Sequence, residues 1–253
     1  MKTNYLLFST LLFITFSIHA EEDSSQTKKL DETVYCEGSY SRHLQGIDIN
    51  DSFILWSWTT KLVKTDLSGK VLVSVDADDH HGDLCIVNNR VFVAVNLGKF
   101  NQPAGKADSW IYEYDINTLA LLKKHPVPEL VHGAGGIAWK DGNFFVVGGL
   151  PKGYDENYVY EYDETFRFRG RHVLNSGYTL LGIQTITWAK GRWWFGCYGN
   201  PEVLLTADKE FNLVTKKELN AALGISFIDG VSFIGSNEKV EGKYKGKITP
   251  FEL

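Results

Sequence analysis

The chain has 253 residues, with 26 Lys and Arg against 31 Asp and Glu, seven His and a formal charge of −5 at pH 7. No dense Lys/Arg stripe stands against this acidic balance, which excludes a phosphate-neutralising nucleic-acid surface as the main function. The three cysteines are odd in number and each lies in an apolar run, so they read as small buried hydrophobes rather than a disulfide framework or a nucleophile.

In chain order, Met1–Ala20 reads as a secretory signal: Lys2 gives the basic start, Tyr5–Ile18 the apolar stretch, and Ile18-His19-Ala20 a small-residue end suited to cleavage. The apolar stretch is short for a membrane span and no second candidate follows, so no span is expected. Residues 21–32 are polar and charged with only Leu30 to bury, and read as a disordered leader. The expected product is secreted or periplasmic, with one folded domain over 33–253.

That domain is built on a repeated phrase. Small turns (His43-Leu44-Gln45-Gly46-Ile47, His80-His81-Gly82-Asp83-Leu84, His132-Gly133-Ala134-Gly135-Gly136-Ile137, Leu181-Gly182-Ile183-Gln184) each open an aromatic or β-branched run, and a later run ends in Asp66, Asp115, Asp163 or Asp208. Those Asp lie 49, 48 and 45 residues apart, a period suited to four-stranded propeller blades. The first unit reads as strands Gln45–Ile49, Phe53–Trp58, Lys61–Asp66 and Lys70–Val75. The second reads as Asp83–Val87, Arg90–Val95, Trp110–Asp115 and Leu119–His125. The third has Gly136–Trp139, Asn143–Gly148, Tyr158–Asp163 and Arg167–Leu174, and repeats the Tyr-Glu-Tyr-Asp of Tyr112–Asp115 at Tyr160–Asp163. The fourth has Gln184–Trp188, Arg192–Tyr198, Val203–Asp208 and Val214–Glu218. The fifth has only Ile225–Ile228, Val231–Gly235 and Lys247–Leu253, while Thr33–Ser39 is an orphan run at the other end. An all-β, five-bladed β-propeller whose last blade is closed by the N-terminal strand accounts for the whole domain and leaves no open ring edge. Leu219–Leu223 is expected to form at most one helical turn. The four period-marking Asp read as turn residues that bond their own backbone, and the aromatics as packing between blades.

In a propeller the innermost strands begin on the face that also carries the loops between second and third strands. The residues entering those strands here are His43 and Gln45, then His80, His81 and Asp83, then His132, then Gln184. Imidazoles brought to one rim suit a divalent metal (Zn, Ca or Mn) held by His43, His80, His81 and His132, or acid–base work by His43, His81, His132 and Asp83. Neighbours on a strand point opposite ways, so one of His80 and His81 is expected to reach the axis. Gln45, Asn96, Gln184, Tyr198 and Trp58 are the expected substrate-binding residues. His125 and His172 read as surface residues on outer strands. Long links at Asn96–Ser109, Gly149–Asn157 and Ser236–Gly246 read as pocket walls. No Walker loop, nucleophile elbow, CxxC or HExxH is present.

The stretch from His43-Leu44-Gln45-Gly46-Ile47 through Asp66-Leu67-Ser68-Gly69-Lys70-Val71 resembles the first blade of plant and bacterial glutamine cyclotransferases, secreted five-bladed propellers. The resemblance implies that fold and cyclisation of N-terminal glutamine. That family has an acidic residue in a Tyr-Glu-Ser-Thr phrase where this chain has Leu55-Trp56-Ser57-Trp58. The chain also resembles uncharacterised secreted bacterial propellers with a similar His-His-Gly-Asp-Leu pattern. The leading expectation is therefore a monomeric propeller enzyme, a hydrolase or lyase, acting on a small sugar- or amino-acid-derived substrate. The rival expectation is a propeller that binds a glycan or a protein without catalysis.

Overall fold

A computed structural model of the chain describes Met1 and residues 30–252. The expected signal segment beyond Met1 and most of the leader lie outside the described residues. After β1 (Val34–Tyr35), the first sheet is β2 (Leu44–Ile49), β3 (Ile54–Trp58), β4 (Lys61–Thr65) and β5 (Val71–Asp76). The second is β6 (His81–Val87), β7 (Arg90–Asn96), β8 (Ser109–Asp115) and β9 (Leu121–Pro126). The third is β10 (Ala134–Lys140), β11 (Asn143–Gly148), β12 (Asn157–Asp163) and β13 (Phe168–Leu174). The fourth is β14 (Leu180–Ala189), β15 (Arg192–Tyr198), β16 (Val203–Ala207) and β17 (Leu213–Glu218). β18 (Ile225–Ile228), β19 (Val231–Val240) and β20 (Lys243–Phe251) make the fifth with β1, which pairs Val34 with Ile248 and Tyr35 with Lys247. The protein is an all-β, five-bladed propeller, and its N-terminal strand closes the ring.

Alternation along the middle strands explains why the sheets stand radially. In β11, Phe144 and Val146 face the second blade while Phe145 and Val147 face the fourth. In β3, Ile54, Trp56 and Trp58 face the fifth blade while Leu55 faces the second. Each sheet is thus apolar on both faces, and five separate clusters fill the five blade interfaces. The period-marking Asp cap the turns between third and fourth strands. Asp66 Oδ1 accepts from the backbone of Ser68 and Lys70, Asp163 Oδ1 from Thr165 and Arg167, and Asp208 Oδ1 from Glu210 and Asn212.

Two expectations about local structure are corrected. Ser236–Gly246 is not a loop: β19 and β20 run on as one hairpin to Val240↔Lys243 around Glu241-Gly242. Its outer half is solvated on both faces, so it lacks the alternation that marks a strand. Leu219–Leu223, expected to hold at most one helical turn, is an irregular link with a turn at 222–223, where Ala222 N bonds Asn220 Oδ1 and Gly224 N bonds Ala221 O. His125 and His172 are not plain surface residues. His125 stacks on Phe166 and bonds Glu113, and His172 stacks on Phe211 and bonds Glu161, so each wedges its blade against the next.

At the axis the inner strands leave no room for side chains. A Cβ added to Gly46 would lie 2.5 Å from Asp83 Cα, one on Gly136 2.7 Å from Gln184 O, and one on Gly224 2.7 Å from Ile47 N. Since the obstructing atoms of these contacts are backbone, Gly46→Ala is expected to cost about 2–4 kcal/mol in urea unfolding. Gly170→Ala, where nothing lies within 4 Å of the added carbon, should change stability by less than about 0.5 kcal/mol. Equal stabilities for the two variants would show that the axis is not tightly packed.

Candidate functional site

The inner strands of the four consecutive sheets each carry a β-bulge near their start. Gln45 is extra between the pairs Leu44↔Trp58 and Gly46↔Ser57, and Gly135 between Ala134↔Gly148 and Gly136↔Val147. Gly82-Asp83 oppose one residue between His81↔Val95 and Leu84↔Val93, and residues 181–184 bulge between Leu180↔Tyr198 and Thr185↔Gly196. A bulge re-aims side chains that a regular strand would send into the blade. Here it turns Gln45, Gly82, Gly135, Leu181 and Gln184 into one hollow of about 190 Å³ at the mouth of the axis, completed by His43, His80, Phe100, Ala134 and Tyr198.

Its polar centre is an amide between two imidazoles. Gln45 Nε2 lies 2.9 Å from His43 Nε2, 2.6 Å from His80 Nε2 and 3.2 Å from Thr59 Oγ1. The amide nitrogen donates, so both rings accept at Nε2 and carry their proton on Nδ1. Burial pushes both imidazoles below their ordinary pKa, His43 being lowered further by His80 and Arg42, whereas Asp79 opposes the shift in His80. Asp79 Oδ1 is 3.6 Å from His80 Nδ1. Across the hollow, Gln184 Nε2 donates to Leu181 O at 2.7 Å, and burial pushes the Tyr198 phenol up to about 12. The hairpin β19–β20 flanks His43, with the Tyr244 ring 6.1 Å from the imidazole and Asn237 Oδ1 accepting from Leu44 N at 2.7 Å.

Of the expected site residues, His43, Gln45, His80, Gln184 and Tyr198 meet in this hollow. His81 does not. It is fully buried, donates Nδ1–H to Asp78 O at 2.7 Å and accepts the Tyr114 hydroxyl at Nε2 at 2.6 Å, and burial lowers its pKa to about 4. Asp78 is held besides by the Tyr112 hydroxyl and Lys124, so this cluster anchors the turn that carries His80. His132 is not among the lining residues; its Nδ1–H donates to Gln102 O at 2.8 Å and its ring meets Tyr154 at 5.2 Å. Two imidazoles therefore meet where three were expected, and among the described residues no group of three or more His, Cys, Asp or Glu is placed to hold a metal ion. Asn96 is spent inside its own loop, donating to Gly98 O and accepting from Asp108 N. Trp58 is buried against Tyr40, rings stacked at 4.0 Å. Phe100 and Leu181 complete the apolar wall; neither lies in a periodic run, so only the length of the second-blade loop and the glycine-containing start of β14 signalled them.

Asp83 sits below the hollow. Its Oδ2 accepts from Ile186 N of the fourth blade at 3.1 Å, and its Oδ1 is buried with no partner. Asp48 is its counterpart toward the other mouth, accepting from Ile86 N, Ile49 N and Ser226 Oγ. Burial pushes both carboxyls above their ordinary range.

No family model and no curated protein matches the chain. Among solved structures it is similar to U3-55K, with TM-score 0.52 and 9% identity over 87% of this chain and 98% of that one. It is also similar to the computationally designed Ika4 protein, with TM-score 0.40 and 12% identity over 74% of this chain and 96% of that one. At such identities the likeness to U3-55K shows the propeller fold alone. The run Leu55–Trp58, where the glutamine cyclotransferase resemblance calls for an acidic residue, is wholly buried and brings no carboxylate to the mouth. Among the described residues no helix is long and apolar enough to cross a membrane.

The raised carboxyl of Asp83 has a definite pH signature. Folding raises its pKa, so above the ordinary carboxyl range the unfolded chain binds fewer protons than the folded one, and the group's stabilising contribution is lost as pH rises through the folded value. Asp83→Asn should therefore gain stability relative to wild type as pH goes from 4 to 8, read as a widening difference in Tm. A difference that stays flat would show that Asp83 does not change protonation on folding.

Proposed function

We propose that the chain is a secreted enzyme that moves a proton on a small polar substrate held at the axial mouth, with His80 as general base. The observation that carries this reading is the amide of Gln45: it has two hydrogens and three acceptors within 3.2 Å. The three acceptors compete for those two hydrogens, so an imidazole lone pair comes free whenever Thr59 Oγ1 takes one of them, in a hollow where burial holds the rings toward the neutral form. A substrate hydroxyl, an acidic C–H or a bound water can donate to that lone pair, and the proton then goes to Nε2. His80 is favoured over His43 because Asp79 stabilises the imidazolium that forms on it, whereas Arg42 disfavours the charge on both rings and nothing offsets it on His43. Proton removal from water leads to hydrolysis, and from a C–H beside a leaving group to elimination; hydrolase and lyase are the two reaction classes this base supports. Secretion rests on the character of Met1–Ala20.

The test follows turnover by NMR for neutral sugars, aldonolactones and glutaminyl peptides. His80→Ala should lower kcat/KM by about 10²–10⁴-fold. Asp79→Asn should move the acid limb of the pH profile to lower pH, because the carboxylate that holds the His80 pKa up is gone. Turnover that survives both His43→Ala and His80→Ala would refute the reading. Cyclisation of glutaminyl peptides would instead restore the chemistry implied by the first-blade resemblance.

A further inference from the structure

Deepening that reading, and resting on it for the site, we infer that the ligand of the mouth is an uncharged, hydroxyl-rich single ring of monosaccharide or aldonolactone class. Which polar atoms are already spent decides this. Gln45 Nε2 is committed to His43, His80 and Thr59, and Gln184 Nε2 to Leu181 O. The Oε1 of each accepts no hydrogen bond from the described residues, although both side chains are buried in the wall of the hollow. The lining thus offers two amide oxygens without a protein donor, and an imidazole lone pair whenever Thr59 takes an amide hydrogen, as acceptors. They call for a ligand that brings several donors.

Charge argues the same way. No Lys, Arg, Asp or Glu lines the hollow, burial holds both imidazoles toward the neutral form, and Tyr198, pushed up to about 12, keeps its proton. The formal charges that act on the imidazole pair, Arg42 and Asp79, are of opposite sign. A carboxylate, phosphate or ammonium entering here would lose its hydration without meeting a counter-ion. The Tyr198 hydroxyl, which has no partner among the described residues, is the natural donor to a ring or carbonyl oxygen. Phe100, Leu181 and Ala134 offer the apolar surface that the C–H face of a sugar ring needs. The size fits one ring and no more: about 190 Å³ is the liquid volume of roughly six waters and lies below the roughly 300 Å³ at which sites for drug-sized ligands begin.

The experiment is calorimetric titration of the full chain with matched sets of equal size: glucose, galactose and xylose, their aldonolactones, the corresponding aldonates, and glucosamine and galactosamine. At least one neutral ring should bind, with its carboxylate or ammonium counterpart ten-fold or more weaker. Gln184→Leu should weaken the neutral ring at least ten-fold. Gln184→Glu, checked for native circular dichroism, should invert the preference toward the amino sugar. A charged member that binds wild type as tightly as its neutral partner, or no neutral member binding at all, overturns the inference. A neutral ring that binds but is never converted overturns the acid–base reading alone. A charged substrate turned over through His80 overturns the neutral-ligand inference alone.

Discussion

Everything in this molecule is arranged around the close approach of five inner strands at the axis. Where they cross, backbone meets backbone with no space for a Cβ, as at Gly46 against Asp83 and Gly224 against Ile47. Inner-strand N–H groups buried in packing this tight need acceptors, since an unpaired buried N–H is costly. Asp48 and Asp83 supply the missing acceptors. Asp48 reaches Ile86 of the second blade and Ser226 of the fifth, and Asp83 reaches Ile186 of the fourth. The carboxyls are thus axial struts. They divide the channel into the upper hollow and a lower one of about 110 Å³ lined by Asp48, Cys85 and Ile186 among others.

The same crowding creates the site. Strands that converge on a point cannot keep a regular ladder to their ends, and the four consecutive sheets release the conflict with a bulge at the start of the inner strand. The residues freed from the ladder line the mouth. The floor is backbone, at Gly82 and Gly135, because side chains would collide there. The polar side chains of the mouth sit one step higher, on turns held by the outer parts of the blades. The Asp78 cluster with Tyr112, Lys124 and His81 fixes the approach to His80, and Asn237 of the long hairpin fixes that to His43.

The blade architecture was readable because its signals are local and repeated. Asp at the end of the third strand in four of the five blades accepts turn N–H groups, glycine marks the inner crossings, and alternation of apolar residues marks middle strands with two buried faces. The solvated half of the β19–β20 hairpin has none of these signals and reads as a loop. The mouth was half readable: residues entering the inner strands are the right neighbourhood, and five of those named do line it. Side-chain direction was not. His80 precedes the strand and faces the mouth, while His81 opens β6 and turns into the interface with Tyr114. His132 is drawn off by the second-blade loop, whose Gln102 carbonyl takes its Nδ1–H. These outcomes depend on bulges and on loop contacts between residues distant in sequence, which no periodicity encodes.

The rim that looked rich in metal ligands is, in three dimensions, a place where imidazoles have been made neutral and shared. A metal would need lone pairs converging on one point; Gln45 instead inserts an N–H₂ between the two rings that do meet. An amide donor in that position opposes a cation, and it opposes protonation of a ring at Nε2 for as long as its N–H points there; protonation requires that hydrogen to turn to Thr59 Oγ1 instead. Neutrality of the pair then follows from hydrogen-bond geometry as well as from burial. Only Asp79, outside the Gln45 contact, tilts the balance toward protonation, and it does so for His80 alone. The asymmetry that the proposed general base requires comes from the turn rather than from the blades, whose repeated geometry would otherwise treat the two histidines alike.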